Sequence, residues 1–235
     1  MDERFVRNAM LIENAAELSF RHVAVIGLGG VGSWCADALA RAGVGRLTLV
    51  DFDVIGPSNI NRQLCARTST LGMTKATAMR DWVLDINPEI HVRALEERYE
   101  PGFFDKHGTF DYIVDAIDLV SYKVDLIKSA DALNIPIISA LGTGNKLNPE
   151  LLRVTDISKT ENCAFARVVR RELRRVGILR HTVVYSPEPA ITPRPVSDEE
   201  PPPGRRSIPG SVPWLPASAG LMIASHVIQT LTEKH

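Results

Sequence analysis

Cysteine is scarce in this chain and does not occur in closely spaced pairs. Cys35, Cys65 and Cys163 are the only three in 235 residues. An odd number at wide spacings fits neither a disulfide framework nor a tetrahedral zinc site, which requires thiol pairs a few residues apart. We therefore expect no structural zinc. Unpaired cysteines are typical of proteins in a reducing compartment, so we expect the protein to be cytoplasmic.

The chain also lacks an excess of charge of one sign and any long apolar run. Its 27 lysines and arginines against 28 acidic residues give a net charge of -1, so a site for a polyanion has to be a local patch. No stretch reaches the ~18 uninterrupted apolar residues of a membrane-spanning helix. The charged start Asp2-Glu3-Arg4 does not fit a secretory signal. We expect a protein that neither spans a membrane nor is exported.

What is present is the composition of an ordinary globular protein, with strands and helices in alternation. An apolar fraction of 45% suffices for a large core without disulfides. Apolar runs predict strands at 23–26, 47–50, 91–95, 112–116, 135–140, 151–157 and 182–185. Helical spacing predicts helices at 31–42, 74–86, 122–133, 164–176 and 217–231. This alternation predicts an α/β fold: a Rossmann-like doubly wound, mostly parallel sheet extended by C-terminal strands.

The length is compatible with a single large domain over residues 1–235. Residues 1–150 carry the regular alternation and are interpreted as a nucleotide-binding core, with 151–235 as an extension on the substrate side. Proline is concentrated in 187–216, with Pro201, Pro202 and Pro203 in succession, which predicts an irregular loop. The apolar segment after it predicts a C-terminal helix, packed on the sheet or on a dimer partner.

A glycine cluster follows the first predicted strand and opens the first predicted helix. In Gly27-Leu28-Gly29-Gly30-Val31-Gly32, the glycines permit a tight turn and let backbone N–H groups approach phosphates at the helix N-terminus. Asp51, about 20 residues further along at a strand end, can accept hydrogen bonds from ribose hydroxyls. These features predict a nucleotide site but do not distinguish ATP from NAD.

Two cations and a carboxylate beyond the second strand favour ATP. Arg62 and Lys75 can neutralise the charge that develops on a triphosphate during attack at the α-phosphate, whereas a hydride transfer does not need them. Asp118 follows an apolar strand, at the sheet edge where a magnesium ion would bridge it to phosphate oxygens. From the residues alone, surface cations and a helix-capping aspartate remain open alternatives.

Five motifs in this order resemble the ubiquitin-activating-type superfamily of adenylating enzymes, to which the ThiF, MoeB and HesA proteins belong. They are the glycine turn, Asp51-Phe52-Asp53, the segment from Ser58 to Gln63, Lys75, and the segment from Asp115 to Asp118. The resemblance implies ATP and Mg²⁺ as cofactors, with Arg62, Lys75 and Asp118 in catalysis and Asp118 at the metal. It implies nucleotide binding by Gly27, Gly29, Gly30, Gly32, Asp51, Asp53, Asn59, Arg62 and Lys75.

Within this superfamily the chain is similar in particular to the tRNA threonylcarbamoyladenosine dehydratases. The supporting residues extend to Gly142-Thr143-Gly144, Asn148-Pro149 and the segment from Val154 to Thr160. The similarity implies ATP-dependent activation of the threonylcarbamoyl carboxylate on a tRNA adenosine, followed by ring closure with loss of water. It also implies tRNA and a second copy of the chain, as a homodimer, as partners. A sulfur-relay protein is a further candidate partner.

Residues 164–176 predict an amphipathic helix with a basic face. Phe165, Val168, Val169, Leu173 and Val176 have core-facing spacing. Arginines occupy the opposite side, and such a stripe on a chain of nearly zero net charge is typical of contact with a phosphate backbone. A solvated helix face is the alternative, and the resemblance favours tRNA. The predicted tRNA-binding residues are Arg167, Arg170, Arg171 and Arg174.

Three other functions are compatible with parts of this pattern. An adenylating activator of a small sulfur-carrier or ubiquitin-like protein is disfavoured by the basic helix and by the absence of the paired zinc cysteines of the molybdopterin- and thiamine-pathway relatives. A noncatalytic nucleotide-binding adaptor would not require Arg62, Lys75 and Asp118 together. An NAD-dependent oxidoreductase would need a His or Tyr constellation for hydride transfer, and the sequence shows no obvious one.

Overall fold

The computed structural model describes residues 2–194 and 209–233 of the chain. These residues form a seven-stranded sheet flanked by seven α-helices. The strands are β1 (His22–Ile26), β2 (Arg46–Val50), β3 (His91–Leu95), β4 (Tyr112–Asp115), β5 (Ile137–Ala140), β6 (Arg153–Asp156) and β7 (Thr182–Tyr185). The helices are α1 (Val6–Ala9), α2 (Gly32–Ala42), α3 (Lys75–Ile86), α4 (Phe103–His107), α5 (Val120–Ala132), α6 (Ala164–Arg175) and α7 (Trp214–Thr232).

The sheet is parallel except at one edge. Its strand order is β3-β2-β1-β4-β5-β7-β6, and among the described strands only β6 runs antiparallel to its neighbour. The chain adds strands on one side of β1 and then, from β4 onward, on the other side. The loops after β1 and β4 therefore diverge and leave a crevice at the carboxyl edge, where α/β folds bind nucleotides. The predicted α/β fold with C-terminal strands at its edge is confirmed.

Alternate residues of the strands face two layers of helices, because side chains along a strand point to opposite faces of the sheet. Val23 and Val25 of β1 pack in the layer with α2, α3 and α7, whereas Ala24 and Ile26 pack with α4 and α5. Helix α6 lies beside α5 and covers β7. Both faces of the five inner strands are thereby buried, which explains why these strands consist mostly of apolar runs, whereas the edge strands β3 and β6 remain partly exposed.

The predicted strands and helices are present in the described ranges, with ends that differ by three residues at most. The largest difference is at α7, which begins at Trp214 rather than 217. Pro216 is tolerated there because amides in the first helical turn have no intrahelical acceptor. The short helices α1 and α4 were not predicted. No helix in the described ranges has the length and apolar character needed to cross a bilayer.

The predicted irregular loop at 187–216 is described only in part. Residues 187–194 and 209–213 form neither helix nor strand, whereas 214–216 belong to α7. The three consecutive prolines, Pro201 to Pro203, lie outside the described residues.

Candidate nucleotide-binding site

The glycine turn at residues 27–32 connects β1 to α2 at the switch point of the sheet. Gly27 has a φ of +93°, and a Cβ there would lie 2.8 Å from the Ala116 carbonyl oxygen. A Cβ on Gly32 would lie only 1.8 Å from the Gly27 carbonyl oxygen. The amides of Gly29, Gly30 and Val31 donate to no acceptor within the described chain. A helix N-terminus with unused N–H groups is a site for phosphate.

Asp51 holds this turn against the end of β2. Its carboxylate accepts hydrogen bonds from the amides of Leu28 at 2.6 Å and Asp53 at 2.9 Å, and the residue is 8% exposed. Burial raises the pKa of this carboxyl group, while Lys75 and the two amide donors oppose that shift. Asp51 therefore shapes the turn, and ribose binding by Asp51 remains a prediction.

Asp53 and Lys75 form an ion pair beside the turn. The Lys75 ammonium lies 2.6 Å from the Asp53 carboxylate, and the lysine side chain is 7% exposed against 47% for Asp53. A short antiparallel bridge between Val54 and Thr74 brings the two residues together, although they are far apart in the chain. The ion pair places the buried Lys75 ammonium group next to the glycine turn.

Arg62 approaches the same turn from the segment after Gly56. Its Nη1 donates to the Ser58 carbonyl at 2.8 Å and to Asn61 Oδ1 at 2.9 Å. Its Cγ lies 3.5 Å from the position of a Cβ on Gly30. Partial burial lowers the pKa of this guanidinium group. Asn59 caps the segment by accepting a hydrogen bond from the Gly56 amide at 3.0 Å.

Gln63 is a polar residue of this site with no role implied by the sequence motifs. It is 7% exposed, and its Oε1 has no hydrogen-bond partner among the described residues. Its Nε2 lies 4.0 Å from the position of a Cβ on Gly29. A buried acceptor without a donor is costly unless a ligand or water supplies one. In the sequence, its position next to Arg62 was the feature that could have indicated a role for Gln63.

Asp118 lies at the carboxyl edge just after β4 and is exposed. The two residues before it, Ala116 and Ile117, pack against Gly27, so Asp118 is next to the glycine turn. The described part of the chain holds no group of three or more His, Cys, Asp or Glu side chains suited to a metal ion. A single carboxylate fits magnesium that shares ATP phosphates and keeps waters as its other ligands.

The structure thus brings most of the predicted nucleotide residues to one crevice. The glycine turn, Asp51, the Asp53–Lys75 pair and Arg62 are linked by contacts of 4 Å or less. The arrangement combines N–H donors for phosphate with two cations for charge that develops on it.

This crevice occurs in a chain that matches one protein family along nearly its whole length. The matched residues are 6–235, and the family is the ThiF family. This chain belongs to the ThiF family. The resemblance to ThiF-type adenylating proteins that the motifs indicated is confirmed.

Relatives of this ThiF-family chain include two tRNA threonylcarbamoyladenosine dehydratases. The Bacillus subtilis (strain 168) protein is 42% identical over 245 aligned positions, which cover 98% of this chain and 95% of the relative. The Escherichia coli (strain K12) protein is 34% identical over 204 positions, which cover 82% and 76%. The crystal structure of the E. coli dehydratase in complex with ATP has a TM-score of 0.86 at 30% identity, covering 97% and 93% of the two chains.

A buried polar network lies beneath this crevice of the ThiF-family chain. The Asp115 carboxylate accepts hydrogen bonds from Lys123 Nζ and Ser139 Oγ, both at 2.6 Å, and Ser139 Oγ lies 2.7 Å from His181 Nε2. Asp115, Lys123 and Ser139 are fully buried. Burial and the Lys123 charge lower the pKa of His181 to about 3. No local sequence pattern indicates this network, since its members come from four separate segments.

The basic helix α6 lies apart from the glycine turn, against α5. Arg167, Arg171 and Arg174 are exposed. Arg170 instead turns toward the protein and donates to the carbonyls of Ile157 at 3.2 Å and Thr160 at 2.7 Å. Of the predicted core-facing positions, Val169 and Leu173 are buried, Phe165 and Val168 are partly buried, and Val176 is 41% exposed just after the helix.

All three cysteines are buried and unpaired. Burial raises the pKa of Cys65 to about 11 and that of Cys35 still further. A thiol with a raised pKa is a poor nucleophile because the thiolate is scarce at neutral pH. Cys65 is therefore unsuited to covalent catalysis, although it lies close to the glycine turn through the Leu28 carbonyl.

Proposed function

We propose that this chain is an ATP-dependent tRNA threonylcarbamoyladenosine dehydratase. The observation that carries the proposal is the crevice itself: unused amides of the glycine turn, with the Lys75 and Arg62 cations beside it, in a chain 42% identical to a dehydratase along nearly its full length. The reaction is dehydration, with cyclisation, of N6-threonylcarbamoyladenosine in tRNA through adenylation of its carboxylate.

The residues of the crevice would act on ATP by position and charge. The glycine turn and Asn59 would hold the phosphates. Asp51 would hold the ribose, with one of its hydrogen bonds from the Leu28 and Asp53 amides replaced by one from a ribose hydroxyl. The substrate carboxylate attacks the α-phosphate, the bond to the β-phosphate breaks and pyrophosphate leaves. Arg62 and Lys75 stabilise the charge that develops in this step. Ring closure on the activated carbonyl then releases AMP.

A magnesium ion would be held by Asp118 together with the phosphate oxygens of ATP. When bound it would supply positive charge that neutralises the triphosphate and orients pyrophosphate as a leaving group. Lys123, buried below Asp118, interacts favourably with the charge of that carboxylate.

The exposed arginines of α6 would bind the tRNA backbone. Arg167, Arg171 and Arg174 are the side chains suited to this, because they point to solvent on one helix. Arg171 forms an ion pair with Glu172 at 2.8 Å. Surface ion pairs of this kind contribute little to the free energy of folding, so Arg171 can exchange Glu172 for an RNA phosphate. Arg170 contributes by holding the helix in place rather than by touching RNA.

Three further features are part of this proposal. The chain acts as a homodimer, and a sulfur-relay protein remains a candidate partner. It works in the cytoplasm, in keeping with three buried thiols that form no disulfide. It needs no zinc, since the chain has no closely spaced cysteine pair.

The test is direct conversion of substrate by purified protein. Protein, ATP and magnesium are incubated with tRNA that carries threonylcarbamoyladenosine, and nucleosides are analysed by mass spectrometry. We expect a product lighter by one water, formed only with ATP. Absence of this product, or tight binding of NAD with none of ATP in a calorimetric titration, would contradict the proposal.

Variants of the two cations separate catalysis from folding. Arg62→Ala and Lys75→Ala should each lower turnover by about 10²–10³-fold, because each removes one contact to developing phosphate charge. Arg80→Ala, which removes an exposed arginine paired with Asp81, is the control and should leave turnover unchanged. Full activity in both test variants would remove Arg62 and Lys75 from the mechanism.

A further inference from the structure

Lys146 is a buried cation that the adenylation chemistry leaves without a role. It lies in the loop after β5, at the carboxyl edge of the sheet, and is 4% exposed. The four residues before it, 142–145, are each partly exposed. A charged side chain in such a position needs partners to offset the loss of water.

The contacts of Lys146 use only part of its hydrogen-bonding capacity. Its ammonium group donates to the Ser186 carbonyl, and no other acceptor contacts it among the described residues. Burial lowers the pKa of Lys146, and the neighbouring Cys163 and Glu188 side chains oppose that shift. The Glu188 carboxylate is itself engaged by the amides of Leu147 at 3.0 Å and Asn148 at 2.9 Å. An ammonium group has three donors, so two are available to a ligand.

The loop that carries Lys146 is joined to the Arg62 segment by two consecutive residues. The Asn145 amide donates a hydrogen bond to the Gly210 carbonyl at 2.8 Å, and Asn145 Oδ1 accepts one from the Gly210 amide at 2.6 Å. The next residue, Ser211, accepts a hydrogen bond from Asn61 Nδ2 at 3.0 Å. The Cα atoms of Gly210 and Ser211 lie only ~3.8 Å apart. Asn145, which precedes Lys146, and Asn61, which precedes Arg62, therefore contact the same short segment of backbone.

The same loop also contacts the start of the basic helix. A Cβ on Gly142 would lie 2.6 Å from Cys163 Sγ and 3.9 Å from Lys146 Nζ. Cys163 is the N-cap of α6, and Arg167 lies one turn further along. The loop that carries Lys146 thus connects the segment of Arg62 with the start of the helix proposed to bind tRNA.

We propose that the Lys146 ammonium binds the carboxylate of the threonylcarbamoyl group and holds it for attack at the α-phosphate. The inference rests on the proposed function, since it concerns the substrate of that reaction. An RNA held on α6, reacting with ATP held by the glycine turn, brings its carboxylate between the two. Lys146 is a buried cation there with unused donors, and hydrogen bonds between a cation and a carboxylate are strong and specific. Lys146 gains and loses no proton in this step.

The test compares binding of two RNAs without ATP, so that no turnover occurs. One is an anticodon stem-loop with threonylcarbamoyladenosine, and the other has unmodified adenosine at that position. Wild-type protein should bind the modified RNA about tenfold more tightly, the effect typical of a hydrogen-bonded charge pair. Lys146→Met should reduce this preference to less than twofold and leave ATP affinity unchanged. Lys159→Met, which removes an exposed lysine, should keep the full preference.

A second measurement uses wild-type protein only, in case Lys146→Met does not fold. A stem-loop with a carboxamide in place of the carboxylate should bind no more tightly than the unmodified RNA. Equal binding of carboxamide and carboxylate, or a tenfold preference retained in folded Lys146→Met, would overturn the inference. If wild-type protein converts no substrate, the proposed function fails. If it converts substrate while Lys146→Met keeps its preference, only the role of Lys146 fails.

Discussion

Gly29 and Gly32 lie in one turn, yet their surroundings predict opposite effects of an added methyl group. A Cβ on Gly32 would lie 1.8 Å from a carbonyl oxygen, whereas on Gly29 it would meet only Gln63 Nε2 at 4.0 Å. Gly32→Ala should therefore destabilise the fold by about 4 kcal/mol, near the upper limit for single substitutions. Denaturant unfolding measures this difference.

Gly29→Ala should change the free energy of unfolding by less than about 0.5 kcal/mol. It should still weaken ATP binding at least about tenfold, because its methyl group would occupy space that a phosphate needs to reach the Gly29 and Gly30 amides. Calorimetric titration with ATP is the measurement. Wild-type ATP affinity in this variant would mean that phosphate does not bind at this turn.

Lys123 is a residue whose importance is structural and follows from its burial. Lys123 and Asp115 form an ion pair at 2.6 Å with both side chains 0% exposed. Lys123→Met would leave a buried carboxylate without its cation, which costs about 3–5 kcal/mol. The matched control is Lys128→Met on the exposed side of the same helix, which should change stability by less than about 0.5 kcal/mol. Equal stabilities of the two variants would refute this account.

At the scale of elements, α6 has two kinds of arginine. Changing Arg167, Arg171 and Arg174 together to glutamine should weaken tRNA binding and flatten its salt dependence by roughly one unit of slope per lost phosphate contact. ATP binding should remain, since the glycine turn lies elsewhere. The measurement is tRNA affinity over a series of salt concentrations.

Arg170→Gln is the matched comparison on the same helix. It removes hydrogen bonds to the carbonyls of Ile157 and Thr160 and to the Thr160 hydroxyl. We expect a loss of about 1–3 kcal/mol in the free energy of unfolding with an unchanged salt slope for tRNA. If the wild type and the variant with Arg167, Arg171 and Arg174 changed to glutamine had the same tRNA affinity and the same salt dependence, the exposed arginines of α6 would form only a solvated helix face.

At the scale of the whole molecule, His181 makes stability depend on pH. Its pKa is lowered to about 3 in the folded chain, against about 6.5 when unfolded. The folded state therefore disfavours protonation, and the stability that His181 contributes is complete above pH ~6.5 and lost as pH falls toward 3. The loss is about 1.4 kcal/mol per pH unit.

Between pH 6.5 and 5 most carboxylates are still ionised, but burial also lowers the pKa of His22 and His226, so a variant is needed to identify the contribution of His181. Urea unfolding of the wild type should show stability falling with pH in this window. His181→Gln, which cannot titrate, should show a clearly smaller slope and the same flat behaviour between pH 7 and 8. Equal slopes below pH 6.5 would exclude His181 as the source.

Local patterns in the sequence predicted the order and type of the main elements and most of the residues that the structure brings together in the crevice. Apolar periodicity is a local signal, and it indicated the strands and longer helices to within three residues of their ends. The glycine turn is equally local, since its function depends on consecutive residues between one strand and one helix. The family resemblance adds the prediction that Asp51, Arg62 and Lys75 contact the same ligand.

Which charged and polar residues are buried depends on packing between distant segments and becomes visible only in the folded chain. Lys123, Lys146 and Arg170 look like surface residues in the sequence, because charged side chains are rarely buried unless they are paired. Their partners Asp115, Ser186 and Thr160 lie 8, 40 and 10 residues away, and no local pattern links them. The antiparallel direction of β6 has the same origin, since strand direction is set by pairing with β7. Burial and pairing are properties of the folded chain, because distant segments create them only when they pack.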